Sequence, residues 1–404
     1  MAILENEVSS FNKPTLIQSS TSILPYFTRI IPTYGDFTIG VSASNYLYTW
    51  GKRREYLGYP QTLAANFTFS VPQTRMYVKL VPPDKQEEDN WNTTTVVDAC
   101  GGVFHTAAVS ADGKLYTWGS NSLRQADSVG DFFSVPHPVD FFTNNNIRVK
   151  SVRCGHYSTL VISDKNKAYG FGWWMSFGAY SIRTYDFPLL RNDTILDACS
   201  SYDSHYILDG SGNMYAWGNN SDGRLGLGDY AHTEYGVPTI MYINNVNSPI
   251  VQLNCSTNNG YFVTADGSVW GWGYNKHKLF GDDEKHVQTV PKLLEQIPKG
   301  AEFHAGDNFV IFKVGNEWKS IGVNDMGQLG NGLSQNSAKA TTIVIPPKVI
   351  PGASYDAPLS KLRVDCKKSR CVMFETEILG ISRANILYVP SWCYLLVLIL
   401  VIVY

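Results

Sequence analysis

The chain has little charge and no excess of either sign. Of its 404 residues, 17% are Asp, Glu, Lys or Arg, and the formal net charge is −2. Globular proteins usually carry about a quarter of such residues. There is no basic tail, so the overall charge does not favour nucleic acid, and we expect no nucleic-acid partner. Met1–Pro14 lacks a basic region followed by an apolar run, so we expect no secretory signal peptide.

The sequence also lacks the short motifs of common enzymes and metal sites. It has no Gly-Lys-Ser/Thr phosphate loop, no Gly-x-Ser-x-Gly nucleophile elbow and no His-Glu-x-x-His zinc motif. None of its seven cysteines forms a Cys-x2-Cys pair, which makes zinc a poor explanation for them. These absences predict a protein that is not an enzyme and that has no metal and no cofactor.

What the chain does contain is a recurring phrase, an apolar run that ends in an aromatic residue and Gly. It reads Leu-Tyr-Thr-Trp-Gly at both Leu47–Gly51 and Leu115–Gly119, and it recurs with small changes at Met214–Gly218 and Val269–Gly273. Weaker copies end at Gly172 and Gly322, and a degraded seventh copy ends at Leu379-Gly380. The residue before the Gly, here called the anchor, thus recurs at Trp50, Trp118, Phe171, Trp217, Trp272 and Ile321. Such repetition is typical of solenoids, propellers and arrays.

Each unit follows one plan. A small or Cys residue and a Gly-like turn precede an apolar strand, such as Thr106–Val109 or Thr159–Ile162, and a turn such as Asp112-Gly113 leads to the aromatic-Gly strand. Asp-Gly between apolar strands is a strong hairpin signal. A second Gly-rich phrase follows the hairpin. We predict about four short antiparallel strands per unit, which must stack on neighbours, and a closed ring leaves few free edges.

These phrases resemble the regulator of chromosome condensation repeat, whose consensus joins Cys-Gly, His-Thr, Asp-Gly, Trp-Gly-x-Asn and Gly-Gln-Leu-Gly. The resemblance covers about residues 30–380 and implies an all-β, seven-bladed β-propeller closed by an N-terminal strand. We expect the propeller at 1–384, the closing strand at about 15–24 and a long insertion at about 52–97. The residues that match the repeat are expected to be structural: Trp50, Gly51, His105, Trp118, Gly119, Trp217, Gly218, Trp272, Gly273, Gly327, Leu329 and Gly330.

Four cysteines, Cys100, Cys154, Cys199 and Cys255, stand at similar places in successive units, ahead of the aromatic-Gly pair. Equivalent positions in different repeats are held apart, so we interpret them as small buried apolar residues in a reducing compartment. The consensus His survives only as His105, which we interpret as a structural residue with satisfied hydrogen bonds rather than a catalytic one.

The longest gap between copies of the phrase is the candidate partner-binding loop. Long loops on rigid scaffolds often carry function, although a solvated insertion is the simpler alternative. The resemblance implies nucleotide exchange on a Ran-type small GTPase, where an inserted hairpin displaces the nucleotide, but no exchange residue aligns with this loop. Its candidate residues are Lys52, Arg53, Arg54, Asp84, Glu87, Glu88, Asp89 and Trp91.

The last nineteen residues, 386–404, carry no charge. A helix of that length spans roughly 28 Å, close to the ~30 Å hydrocarbon layer, so we predict a C-terminal transmembrane helix and a tail anchor. The alternative is a buried strand, against which the lack of alternating polarity argues. The predicted membrane-anchor residues are Trp392, Tyr394, Leu395, Leu396, Leu398, Ile399, Leu400, Ile402 and Tyr404.

The sequence therefore predicts a non-catalytic scaffold for protein interactions, tethered at the cytosolic face of an intracellular membrane. The alternative function is a guanine-nucleotide exchange regulator of a small GTPase, and the alternative location is a soluble cytoplasmic one. In both cases the expected partner is a protein.

Overall fold

A computed structural model describes most of the repeat region. The described residues are 16–17, 27–35, 37–42, 45, 47–51, 57–58, 95–173, 182–185, 194–230, 232–280, 286–306, 308–325, 327–344, 362–367, 370–375, 384–387 and 394–400. They contain 28 β-strands and one five-residue helix, α1 (Asp140–Asn144). The prediction of an all-β chain built from short antiparallel strands is confirmed.

The repeats form six blades of a β-propeller, built on a four-stranded antiparallel plan. In the first blade three strands lie within the described residues, β2 (Phe27–Pro32), β3 (Phe37–Ser42) and β4 (Leu47–Gly51). The second blade contains β5 (Val96–Gly101), β6 (His105–Ser110), β7 (Leu115–Ser120) and β8 (Phe132–Pro138). The third contains β9 (Val149–Cys154), β10 (Ser158–Ser163), β11 (Ala168–Gly172) and β12 (Arg183–Tyr185).

The remaining three blades repeat this arrangement. The fourth contains β13 (Ile195–Ser200), β14 (Ser204–Asp209), β15 (Met214–Asn219) and β16 (Glu234–Met241). The fifth contains β17 (Ile250–Cys255), β18 (Asn259–Thr264), β19 (Val269–Tyr274) and β20 (Val287–Leu293). The sixth contains β21 (Glu302–Ala305), β22 (Phe309–Val314), β23 (Glu317–Gly322) and β24 (Ser337–Thr342).

The prediction of seven blades is wrong. The C-terminal strands β25 (Leu362–Lys367), β26 (Arg370–Glu375), β27 (Ala384–Leu387) and β28 (Tyr394–Leu400) join β1 (Leu16–Ile17) in a sheet of order β1-β27-β28-β26-β25. In this sheet β28 runs parallel to β26, whereas a repeat blade is a chain of successive hairpins. β25 contacts β2 of the first blade and β21 of the sixth. Counting aromatic-Gly phrases could not reveal this different strand order.

The prediction of a C-terminal transmembrane helix is also wrong. Residues 394–400 form the strand β28, and its backbone pairs with both β26 and β27. Among the described residues no helix has the length and apolar composition needed to cross a bilayer. The β-branched residues of this segment fit a strand as readily as a helix, and pairing within the sheet supplies the backbone hydrogen bonds of β28. The boundaries of the two predicted domains, 1–384 and 386–404, remain predictions.

The hydrophobic core lies between the blades. Each of the five seams between neighbouring repeat blades has its own cluster of buried apolar side chains. At the seam between the first and second blades Leu57 packs with Trp118, and at the seam between the fourth and fifth Leu225 packs with Trp272. Burying a large side chain in such a cluster stabilises the fold by roughly 1.5–3 kcal/mol. The Leu of the Gly-rich phrase and the Trp of the aromatic-Gly phrase thus form the two sides of one contact between neighbouring blades.

The expectation that the repeats hold the four cysteines apart is wrong. Cys100 of β5 and Cys154 of β9 form a disulfide with Cα atoms 5.5 Å apart, and Cys199 of β13 and Cys255 of β17 form another at 6.1 Å. The cysteines are not at equivalent positions. Cys100 and Cys199 each stand one position further from the anchor of their unit than Cys154 and Cys255 do. This offset of one position brings the two sulfur atoms of each pair together across a seam.

Candidate functional site

Among the described residues, one end of the propeller carries the loops that join the first strand to the second and the third strand to the fourth within a blade. We call this end the loop face. This arrangement follows from the antiparallel order of the strands within a blade. That order places the turns between the second and third strands, and the connections between blades, at the opposite end. The first-to-second loops are only three or four residues long and converge near the ring axis. They position the candidate site.

The first-to-second loops of four blades are bound to one another. Tyr34, in the loop of the first blade, donates its phenolic hydrogen to the carbonyl oxygen of Ser200 in the fourth blade at 2.7 Å. The amide of Val103 donates to the carbonyl of His156, and the amide of His156 donates to the carbonyl of Tyr202. Tyr34 and His156 are 2% and 3% exposed. The loops of the first four blades are therefore held as one rigid surface.

An aromatic cluster of five rings occupies this surface: Tyr34, Phe104, His156, Tyr157 and Tyr202. The ring centroid of His156 lies 4.6 Å from that of Tyr34 and 4.0 Å from that of Tyr202. Tyr157 packs edge-on against Tyr202 at 6.0 Å, and Phe104 lies 5.9 Å from Tyr157. Tyr34 and His156 are buried beneath the other three rings. Phe104, Tyr157 and Tyr202 are partly exposed. Rings held in this way can contact a partner without losing much side-chain freedom.

A buried carboxyl group adjoins the aromatic cluster. Asp203 is 7% exposed, and within the described residues its Oδ1 accepts no hydrogen bond. Burial raises the pKa of Asp203 to about 7, although the nearby Arg224 acts to lower it. Burial, together with Tyr157 and the negative charge of Asp203, raises the pKa of Tyr202. The site therefore contains a carboxyl group that changes charge near neutral pH beside aromatic rings.

Glycines of the repeated phrase hold these loops in place. Gly119, Gly172 and Gly218 have φ between 101° and 107°, which L residues rarely adopt. A Cβ atom on them would lie 2.1–2.3 Å from the carbonyl oxygens of Phe104, Tyr157 and Asp203. Each of these carbonyls accepts a hydrogen bond from the residue that follows the glycine. The aromatic-Gly phrase thus fixes the loops that carry the aromatic cluster.

An apolar rim lies at the same end of the propeller, on the longer third-to-fourth loops. It consists of Val129, Trp173, Tyr230 and Leu333, each between 46% and 62% exposed. The Asn of the repeat organises these loops, because its side-chain amide donates to loop carbonyls. Asn121 donates to the carbonyl of Val129, and Asn324 donates to that of Leu333. The rim therefore rests on the same repeated phrases as the core.

A chain of alternating charges crosses the inner strands below the loops. Asp98 accepts hydrogen bonds from Arg29 at 2.8 Å and from Arg153 at 2.7 Å, and it also accepts the backbone N–H of Val152. Arg153 extends to the carbonyl of Ala198 in the next blade. Burial acts to raise the pKa of Asp98, but the two arginines outweigh it and hold that pKa below its usual value. These groups are partners of one another, so they join blades rather than offer a free binding site.

The structure places the repeat residues in the blades. Trp118, Trp217 and Trp272 are at most 1% exposed, and Leu329 is fully buried next to Gly327 and Gly330, both at positive φ. Trp50 and Gly51 lie in β4, and Gly119, Gly218 and Gly273 have the same strained φ. His105 is fully buried, and its Nε2 donates to Thr159 Oγ1 of the next blade at 3.0 Å. Burial lowers the pKa of His105 to about 3, so the ring is neutral. The structural role predicted for His105 stays a prediction.

The eight candidate residues of the partner-binding loop lie outside the described residues, as do Trp392, Ile402 and Tyr404. Tyr394, Leu395, Leu396, Leu398, Ile399 and Leu400 belong to β28. The repeat pattern does not predict the aromatic cluster, because its rings come from four different repeat units. A signal was present: Phe104 and Tyr157 both stand at the same distance before their anchor, in a loop rather than a strand. Among the described residues no group of His, Cys, Asp or Glu is arranged to hold a metal ion.

Two models of the regulator of chromosome condensation (RCC1) repeat match the chain. One matches residues 96–125 and the other matches residues 112–162 and 211–263. These matches begin in the second blade and end in the fifth. The chain therefore resembles the RCC1 repeat over residues 96–162 and 211–263, and these residues lie in blades of a β-propeller.

The chain is also similar to known proteins and solved structures. The Regulator of chromosome condensation of Homo sapiens is 29% identical over 227 residues, which cover 50% of this chain and 53% of that protein. The chain thus matches about half the length of that curated relative. Human WBSCR16 superposes with a TM-score of 0.67 at 17% identity, covering 86% of both chains. Prp20p from Saccharomyces cerevisiae superposes with a TM-score of 0.64 at 15% identity, covering 84% of this chain and 80% of that one. At these identities the two structures show the fold alone.

Proposed function

We propose that this protein is an interaction module that binds a protein partner on its loop face, around the aromatic cluster. The observation that carries this proposal is the set of three partly exposed aromatic side chains, Phe104, Tyr157 and Tyr202, that pack together at one end of the propeller. Tyr, Trp and Phe are enriched where protein interfaces are most strongly bound, because they bury much area and lose little side-chain freedom. No catalytic constellation among the described residues competes with this interpretation.

The surroundings of the cluster support the same face. The apolar rim adds four exposed apolar side chains on rigid loops, and Asp203 adds an acceptor that is partly ionised at neutral pH. A partner that presents an apolar patch with one basic side chain would match this chemistry. Nucleic acid would not, because the chain has a net charge of −2 and the arginines Arg124 and Arg224 of the loop face are each paired with an aspartate.

The test compares two faces of the same protein. The chain is used to capture partners, one identified partner is purified, and its dissociation constant is measured by calorimetry. We expect the double variant Tyr157→Ala/Tyr202→Ala to bind at least about tenfold more weakly, since each central aromatic commonly contributes about 1 kcal/mol or more. Tyr242→Ala is the matched control, because Tyr242 is 77% exposed at the opposite end. Equal loss in both variants, or no loss in the double variant, would contradict the proposal.

A second candidate function is nucleotide exchange on a small GTPase. It is favoured by the 29% identity to the human Regulator of chromosome condensation and by the fold shared with Prp20p, a protein studied for its binding to Gsp1p and histones. Exchange needs no covalent chemistry, only a surface that separates the nucleotide and its magnesium from the GTPase. Release of a fluorescent guanine nucleotide from a panel of small GTPases, with and without the full chain, tests it. Unchanged release rates across the panel would exclude exchange on those GTPases and leave the interaction module.

A further inference from the structure

The two disulfides bridge two separate seams in the same manner. Cys100 lies opposite Ala107 in its blade, and Cys199 lies opposite Tyr206. Cys154 lies opposite Thr159, and Cys255 lies opposite Gly260, one position nearer to the loop face. Each bridge thus joins a cysteine in one blade to a cysteine one position further along in the next. A repetition of this offset at two seams makes an accidental approach of two thiols a poor explanation.

Each bridged seam carries the same second link. Oδ2 of Asp98 accepts the backbone N–H of Val152 at 3.0 Å beside the first bridge, and Oδ2 of Asp197 accepts that of Leu253 at 2.8 Å beside the second. At the seam between them Arg153 donates to the carbonyl of Ala198 instead. The cysteines therefore sit at seams where carboxylate links already set the spacing of the inner strands.

Three of the four bridged cysteines lead directly into loops of the candidate site. Cys100 stands four residues before Phe104, Cys154 stands three before Tyr157, and Cys199 stands three before Tyr202. These three loops supply the exposed rings of the aromatic cluster. The Cys100–Cys154 bridge therefore fixes the distance between two loops of the proposed binding surface, and the Cys199–Cys255 bridge ties the third of these loops to the fifth blade.

We propose that the two disulfides form a redox-sensitive device that sets the arrangement of the loop face, with the oxidised chain arranged for partner binding and the reduced chain loosened. This regulation rests on the proposed function of that face. Formation of each bridge oxidises two thiols by two electrons, and a low-molecular-weight disulfide such as oxidised glutathione accepts them. One cysteine thiolate attacks the oxidant, releasing one glutathione, and the second cysteine thiolate displaces the other. Both protons leave with the two glutathione thiols.

Burial makes the exchange dependent on opening of the seam. Cys100, Cys154 and Cys255 are 2%, 0% and 7% exposed. At the Cys100–Cys154 bridge a reductant the size of glutathione reaches sulfur only when neighbouring blades separate locally, whereas Cys199 of the other bridge is partly exposed. The state of the bridges and the mobility of the loops should therefore change together.

The experiment equilibrates the full chain in glutathione buffers of increasing reducing strength. Free thiols are then alkylated and located by peptide mass spectrometry, and amide hydrogen exchange is measured over residues 102–104, 155–157 and 201–203. We expect both bridges in the oxidised buffer, and exchange in these loops at least about tenfold faster once they are reduced. Cys393→Ser, which leaves both pairs intact, should behave as the wild type.

Free thiols at both pairs in the oxidised buffer would overturn the proposal, as would reduction without faster loop exchange. The double variant Cys100→Ser/Cys154→Ser should show fast loop exchange in every buffer. If it does not fold, a melting curve of the wild type in each buffer replaces it, and an identical midpoint in both would overturn the proposal. This readout needs no partner, so it stands apart from the affinity test. Loops that respond to reduction while Tyr157→Ala/Tyr202→Ala binds normally would refute the proposed function and leave the redox device.

Discussion

At the scale of single residues, glycines at strained φ connect the repeat to the candidate site. Gly218 has a φ of 107°, and a Cβ there would lie 2.1 Å from the carbonyl oxygen of Asp203. We expect Gly218→Ala to lower the free energy of unfolding by about 3 kcal/mol, because the fold must accept both a strained dihedral and a backbone clash. Chemical denaturation measures the change.

Gly212 offers the matched control for that substitution. Its φ is 85°, and a Cβ there would meet no atom within 4 Å. We expect Gly212→Ala to cost about 1 kcal/mol, from the dihedral alone. Equal costs at the two positions would show that the contact with the loop carbonyl has no part in fixing the site.

The raised pKa of Asp203 should make the free energy of unfolding depend on pH. Burial raises the pKa of Asp203 to about 7 in the folded chain, above its value of 3.8 in the unfolded chain. The folded chain therefore binds more protons between these values, and its stability falls as pH rises from about 4 to about 7. We expect Asp203→Asn to remove a decline on the order of 2–4 kcal/mol, measured by denaturation from pH 4 to 8.

Asp131 is the control for Asp203, because its side chain is 84% exposed. Asp131→Asn should leave the wild-type pH dependence in place. If Asp203→Asn declined with pH as steeply as the wild type, Asp203 would not be the group responsible.

At the scale of the strands, His105 joins two blades. Its Nε2 donates to Thr159 in β10, and the hydroxyl of Thr159 donates to the carbonyl of Gln125 in the preceding blade. We expect His105→Ala to destabilise the protein by about 2–4 kcal/mol, from a cavity and a lost buried hydrogen bond. This loss of stability should be smaller at pH 5. Below about pH 6.5 the unfolded wild type binds a proton at His105 that the folded protein, with its lowered pKa, does not bind, so the wild type is itself less stable there. A variant with wild-type stability that lost only partner binding would contradict a structural role.

The strands also show why the sequence predicted some features and not others. Hairpins and the aromatic-Gly strands are local, so Asp112-Gly113 and Trp118-Gly119 were enough to predict them. The sheet that contains β26 and β28 depends on a parallel pairing of distant segments, which no local phrase reveals. The disulfides depend on an offset of one position between Cys100 and Cys154. That offset is present in the sequence, but it becomes meaningful only once the inner strands are known to be neighbours.

At the scale of the whole molecule, the two ends of the chain meet in one sheet. Leu16 and Ile17 pair with Leu387 and Ile386, and β25 of the same sheet contacts the first and sixth blades. We expect deletion of residues 1–20 to lower the free energy of unfolding by about 1–2 kcal/mol, since it removes this pairing. Thermal melting measures the loss, with deletion of residues 1–10 as the control. An unchanged midpoint for the longer deletion would show that the pairing does not stabilise the ring.

The propeller brings aromatic residues that are far apart in the chain together on one face. Tyr34 belongs to the first blade and Tyr202 to the fourth, yet both ring systems pack on His156 of the third. Such a cluster follows from closure of the blades and from no single repeat. For this reason the sequence indicated a platform for interactions without indicating which face binds.

Hydrogen exchange of the chain with and without a purified partner tests the proposed loop face most directly. The amides of residues 102–104, 155–157 and 201–203 should be protected in the complex, while those next to Tyr242 at the opposite end should exchange as in the free chain. Protection near Tyr242 with unchanged exchange in the three loops would contradict the account.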